Sequence, residues 1–142
     1  MVEKTMDNII FEKIWEDETL IQIKITAISK YITAFQNCYV NKITIEETNK
    51  RIKQYIDNYN NDVYIQFGEK IGNYTPAFSM NILKSDIYGH VKIEVDLEID
   101  DTDDRSHRAK FFVVSELGAI EKFRIQFLKI LENKIGATIS IF

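Results

Sequence analysis

From His90 to Asp100 apolar and polar residues alternate without a break. Val91, Ile93, Val95, Leu97 and Ile99 fall on one side, and His90, Lys92, Glu94, Asp96, Glu98 and Asp100 fall on the other. A period of two turns one set toward a core and the other toward water, which is the pattern of a strand in a sheet covered on one face. A helix would scatter the same residues around its axis. Ile21, Ile23, Ile25 and Ala27 repeat the pattern against Gln22, Lys24 and Thr26.

The rest of the chain is read around these two strands. Ile9, Phe11 and Ile14 mark a first strand, closed by the polar turn from Glu16 to Thr19, and Tyr31 to Val40 is a third apolar and aromatic run. Val63, Ile65 and Phe67 form a short strand before a loop over Gly68–Pro76 with a turn signal at Gly72 and Asn73. Ala77–Leu83 and Val91–Ile99 read as a hairpin around Ser85, Asp86, Tyr88 and Gly89, and Lys110–Val114 and Ala137–Phe142 supply two more strands. Thr44 with Glu47 fits a capping box that opens a helix carrying Ile45, Ile52 and Ile56 at helical spacing. Ser115 is placed to cap a second helix, apolar nearly all round and therefore expected to be buried on more than one side, with Gly136 ending it. The expected fold is α+β, mainly antiparallel sheet of about seven or eight strands, with two α-helices over about 44–58 and 116–134.

The 142 residues, 45% of them apolar, suffice for one domain over 1–142 with a core of its own. One proline and five glycines leave few places for a linker. Cys38 is the only cysteine, so no intrachain disulfide forms. No run approaches the roughly 20 apolar residues of a membrane span, and the N-terminal residues do not read as a secretory signal. These features predict a soluble, cytoplasmic protein with no membrane partner. A net charge of −4 makes nucleic acid an unlikely partner.

That charge is concentrated. Glu94, Asp96, Glu98, Asp100, Asp101, Asp103 and Asp104 are seven of the 22 acidic residues, so the rest of the chain has 15 against 18 basic ones. A one-signed field of this kind steers and selects a basic partner; its plainer role is to keep a sheet edge solvated. The following Arg105, Arg108 and Lys110 face the acids across the turn and neutralise part of the field. A calcium loop does not fit, because the sixth and twelfth places counted from Asp96 hold Asp101 and His107 where Gly and Glu are required.

Other constellations carry less. Two separated histidines, His90 and His107, with Cys38 do not make a zinc set, and no cofactor is implied. Cys38 reads as a core residue and His90 as a surface one. Lys50, Arg51 and Lys53 with Tyr55 fit either a phosphate-and-stacking surface or the wet face of a helix, the latter being the commoner case. Trp15, beside Glu16 and Asp17, is an interface anchor or a partly buried core residue. Phosphate loops, nucleophile elbows and metal motifs are missing, which favours a non-catalytic protein.

Size, acidity and plan, with the runs Ile14, Trp15, Glu16, Asp17 and Ile25–Ser29 and the run Ser115, Glu116, Leu117, Gly118, resemble the small cytoplasmic immunity proteins of bacterial toxin–antitoxin and contact-dependent competition systems. The resemblance covers the plan of the chain and carries over no individual residues. It implies a protein-binding module that occludes a basic, nuclease-like toxin. On that reading the contact residues are Glu94, Asp96, Glu98, Asp100, Asp101, Asp103 and Asp104, with Trp15 or Tyr88 as an aromatic anchor. A small-molecule or lipid binder, with a cavity between the sheet and the second helix, is the alternative. An assembly that forms a homodimer through that apolar helix is a third reading.

Overall fold

The computed structural model of the protein describes residues 7–58, 61–68, 77–99 and 107–142. Among them are two helices and eight strands in two four-stranded antiparallel sheets, the expected α+β class. The first sheet contains β1 (Asn8–Glu16), β2 (Leu20–Ile28), β3 (Thr33–Asn41) and β8 (Thr138–Ser140), in the order β3-β2-β1-β8. The second contains β4 (Val63–Phe67), β5 (Ala77–Ile82), β6 (His90–Ile99) and β7 (His107–Glu116), in sequence order. Helix α1 (Lys42–Asp57) links the sheets, and α2 (Leu117–Leu128) with a short 3-10 turn (Ile130–Glu132) leads from β7 to β8.

The alternation read from the sequence is the physical basis of this arrangement. Ile9 and Phe11, then Ile21, Ile23 and Ile25, are buried from the first sheet, and Val91, Ile93, Val95 and Leu97 from the second. One cluster of buried side chains runs through both sheets and both helices. Its centre is aromatic: Phe11 of β1 lies 6.0 Å from Phe78 of β5, 4.8 Å from Phe123 and 5.8 Å from Phe127 of α2 (ring centroids), and Phe127 stacks on Phe67 of β4 at 5.7 Å. Offset and edge-on rings at these separations add attraction to the apolar area they bury.

Four details differ from the sequence expectations. Helix α1 starts two residues earlier, because Asn41 is its cap: its Oδ1 accepts from the Thr44 N–H at 2.8 Å and from Thr44 Oγ1 at 2.9 Å. Thr44 is a helical residue, and its carbonyl accepts from Thr48 Oγ1 at 2.8 Å. Ser115 does not cap α2; it lies in β7 opposite Val91, because the ladder with β6 continues to Glu116 opposite His90. The second helix ends at Leu128 rather than near 134, and it buries one face, through Ile120, Phe123 and Phe127, while Ile125 and Leu128 are exposed. Finally, Lys13 rather than Ile14 continues the inward side of β1, because it keeps the two-residue period of Ile9 and Phe11; the pairing with β2 shifts only after it, between Lys13 and Trp15.

Candidate partner-binding surface

That shift presents Trp15. Lys13 sits opposite Ile23 and Trp15 opposite Gln22, so Ile14 is the extra residue of a β-bulge, which turns the next side chain to the other face. Lys13 is fully buried beneath the bulge. Its ammonium contacts Glu16 Oε2 at 2.7 Å, the Asn133 carbonyl at 2.9 Å and the Leu131 carbonyl at 3.1 Å. All three donors of the ammonium are used, and a cation lies where the carbonyls after α2 need one. The backbone is pinned as well: the Gly136 N–H donates to the Lys13 carbonyl at 2.7 Å, and the Lys13 N–H to Ala137 at 3.1 Å.

Above this anchor Trp15 is 41% exposed and meets Tyr39 of β3 edge-on, with ring centroids 5.9 Å apart. The following turn is acidic and ordered. Asp17 Oδ1 accepts from the N–H groups of Thr19 and Leu20, both at 2.8 Å, and these bonds hold its carboxyl below the usual aspartate range. Glu16, Asp17 and Glu18 are all exposed. The exposed indole and phenol thus lie beside a turn that carries Asp17 and Glu18, while Glu16 turns inward to the Lys13 ammonium; ring faces and free carboxylates of this kind suit a cationic side chain.

The acidic strand is different. Asp96 is nearly buried and is gripped by the Arg108 guanidinium through Nε at 3.0 Å and Nη2 at 2.6 Å. That fork raises the Arg108 pKa, so the arginine stays charged. Glu94 pairs with Lys110 at 3.6 Å, and Glu98 is half-buried opposite Arg108 in the register. The described carboxylates of β6 are thus largely answered by β7, which carries the internal neutralisation foreseen from Arg108 and Lys110. Asp100, Asp101, Asp103 and Asp104 lie outside the described residues. Trp15 and the β6 carboxylates are carried by different sheets, and Tyr88 belongs to the β5–β6 turn, near His90.

That turn is organised by Asp86. Its Oδ1 accepts from the N–H groups of Tyr88 and His90, both at 2.8 Å, and its Oδ2 lies 3.1 Å from His90 Nδ1. The backbone bonds, with His90 beside them, lower the Asp86 pKa. An open cleft of about 510 Å³ lies alongside, with Leu83, Val91 and Val114 among its apolar lining and Lys84 and Lys92 among its charged residues. Among the described residues the His90 ring is hydrogen-bonded to Asp86. Cys38 is buried, and burial pushes its thiol up to about 11. Ser85 Oγ donates to the Asp86 carbonyl at 2.8 Å. Tyr55, a candidate stacking residue, is instead buried: its hydroxyl donates to the Leu83 carbonyl at 2.7 Å, and burial pushes its pKa up to about 12. Arg51 beside it bonds the Tyr64 carbonyl at 3.0 Å.

The space between the sheets and α2 is occupied by the stacked rings of Phe11, Phe67, Phe123 and Phe127, which weighs against a ligand cavity there. Among the described residues no group of three or more His, Cys, Asp or Glu is placed to hold a metal, and no helix is long and apolar enough to cross a membrane. No family model, no curated protein and no solved structure matches the chain. Two contributors to the surface, Tyr39 and the buried Lys13, were not singled out from the sequence. Lys13 had a signal, since it continues the inward series of Ile9 and Phe11. Tyr39 had none, because cross-strand neighbours depend on register.

Proposed function

We propose that this chain is a non-catalytic protein-binding module for a basic partner, acting as an immunity-type protein that covers a nuclease-like toxin in the bacterial cytoplasm. The observation that supports it is Trp15, exposed against Tyr39 and followed by a turn whose Asp17 and Glu18 are exposed. Aromatic anchors of this kind concentrate binding energy at interfaces, and the fixed turn leaves little ordering cost to be met on binding. The Asp100–Asp104 group would add long-range attraction to the same partner.

The test is capture on the immobilised chain, with the retained proteins identified and their nuclease activity assayed with and without added chain. A basic nuclease held and inhibited by the wild type, lost on Trp15→Ala, and bound less steeply with salt when Asp100, Asp101, Asp103 and Asp104 are changed to Asn supports the reading. Equal retention by the wild type and Trp15→Ala, with salt dependence unchanged in the fourfold variant, sinks it.

A further inference from the structure

A sheet that ends in water exposes unpaired backbone groups, and proteins blunt such edges. Three of the four edges here are blunted. β8 is three residues long. On β7 the Val114 N–H is taken by the Asp7 carboxylate at 2.9 Å. On β4 the Tyr64 carbonyl is taken by the Arg51 guanidinium at 3.0 Å. β3 is the exception. It is nine residues long, pairs among the described residues with β2 alone, and contains no charged residue, proline or glycine.

The direction of its backbone groups follows from the hairpin. The Ser29 N–H donates to the Ile32 carbonyl at 2.8 Å, so the pair Ile28 and Thr33 lies between ladder bonds. Alternation then points the N–H and C=O of Thr33, Phe35, Asn37, Tyr39 and Asn41 away from β2. Phe35 and Tyr39 among these are 57% and 54% exposed. Asn37, midway along the strand, holds a buried Oδ1 with no hydrogen-bond partner. Just beyond the ends of β3, Tyr31 is 85% and Ile43 75% exposed.

We propose that β3 is the dimer edge of the protein, pairing antiparallel with β3 of a second copy about a two-fold axis at Asn37. This does not rest on the basic partner, since its contacts run between two β3 strands, although Tyr39 belongs to both surfaces. The register decides the occupant. With Asn37 opposite its own copy, Phe35 meets Tyr39 and Thr33 meets Asn41, each outward-bonding residue facing another. Aromatic cross-strand pairs form on both sides of the axis. β3 itself carries no charge, so the two-fold sets no charged residues of the strand opposite one another, and the two Asn37 residues form its central hydrogen-bonded pair.

Sedimentation velocity of the full chain over about a hundred-fold dilution series reads the dimer directly, since mass action must dissociate it. The expected result is a two-chain mass that falls on dilution. Asn37→Lys sets two ammonium groups face to face and should weaken association roughly tenfold or more, with circular dichroism checking the fold. A second variant fixes the register whatever Asn37→Lys does to folding. Cα atoms of a hydrogen-bonded antiparallel pair lie about 5.5 Å apart, within disulfide reach, so Asn37→Cys should cross-link on oxidation and Thr33→Cys should not. A one-chain mass at every concentration, or cross-linking of Thr33→Cys as readily as Asn37→Cys, overturns the proposal.

Discussion

Lys13 is the costliest polar residue to place, because a buried ammonium loses its hydration and is tolerated only when every donor is answered. Here Glu16 and two carbonyls answer it. Lys13→Met keeps most of the apolar stem and removes the donors, stranding the Leu131 and Asn133 carbonyls; it should cost about 2 kcal/mol in urea unfolding. Lys13→Ala also opens a cavity and should cost about 3 kcal/mol or more. Equal stability of Lys13→Met and the wild type would mean that the carbonyls find water instead. Cys38 gives a second prediction. With its thiol raised to about 11 by burial, Cys38 should react with a thiol reagent near pH 8 only through opening of the fold, so its labelling should accelerate steeply with urea. At this scale the sequence was read well where burial follows alternation, as for Cys38, and less well where one charged side chain sits at an inward position. A lysine in an apolar series reads as an interruption until the carbonyls that receive it, more than a hundred residues away, are known.

Elements are decided at their ends. The apolar period of α1 begins at Ile45, so the pattern pointed to Thr44, while the cap that satisfies the first free N–H groups is Asn41. Asn41→Ala should therefore cost about 1 kcal/mol, and Thr44→Ala clearly less, because the Thr44 backbone N–H keeps its Asn41 acceptor. The reverse order in thermal melts would restore the capping box at Thr44. Turns and helix pairs also set the acid limit. Backbone N–H donors hold the Asp17 and Asp86 carboxyls below the usual aspartate range, and Arg124, whose Nε donates to Glu121 at 2.9 Å, holds that carboxyl below the usual glutamate range. A carboxyl with a depressed folded-state pKa makes the unfolded chain bind protons first, so its contribution is complete above the unfolded value and is lost as pH falls through the folded one. Stability should be flat in these groups at neutral pH and decline below about pH 4.5, with Asp17→Asn and Asp86→Asn each flattening the decline. Carboxyl titration followed by NMR checks the direction at each site.

At the scale of the molecule, the strand content, antiparallel pairing and two helices were legible, and the division into two sheets was not. Alternation states which face of a strand is covered, but it does not state which strand lies beside it, and α1 between β3 and β4 marks a break that no composition change announces. What couples the two sheets is a set of rings contributed by β1, β4, β5 and α2, with Phe11 touching one ring on β5 and two on α2. Phe11→Ala should cost about 3–5 kcal/mol, a large part of the roughly 5–15 kcal/mol that holds an ordinary domain folded. The sharper consequence concerns cooperativity. Trp15, the only tryptophan, reports on the first sheet, whereas far-ultraviolet circular dichroism reports on both helices and both sheets. If the rings bind the sheets into one unit, the two signals should give the same urea midpoint in the wild type and in Phe11→Ala, lowered in the variant with the slope unchanged. Separate midpoints in the wild type would make each sheet its own folding unit. A split confined to Phe11→Ala would make that single ring the link between them.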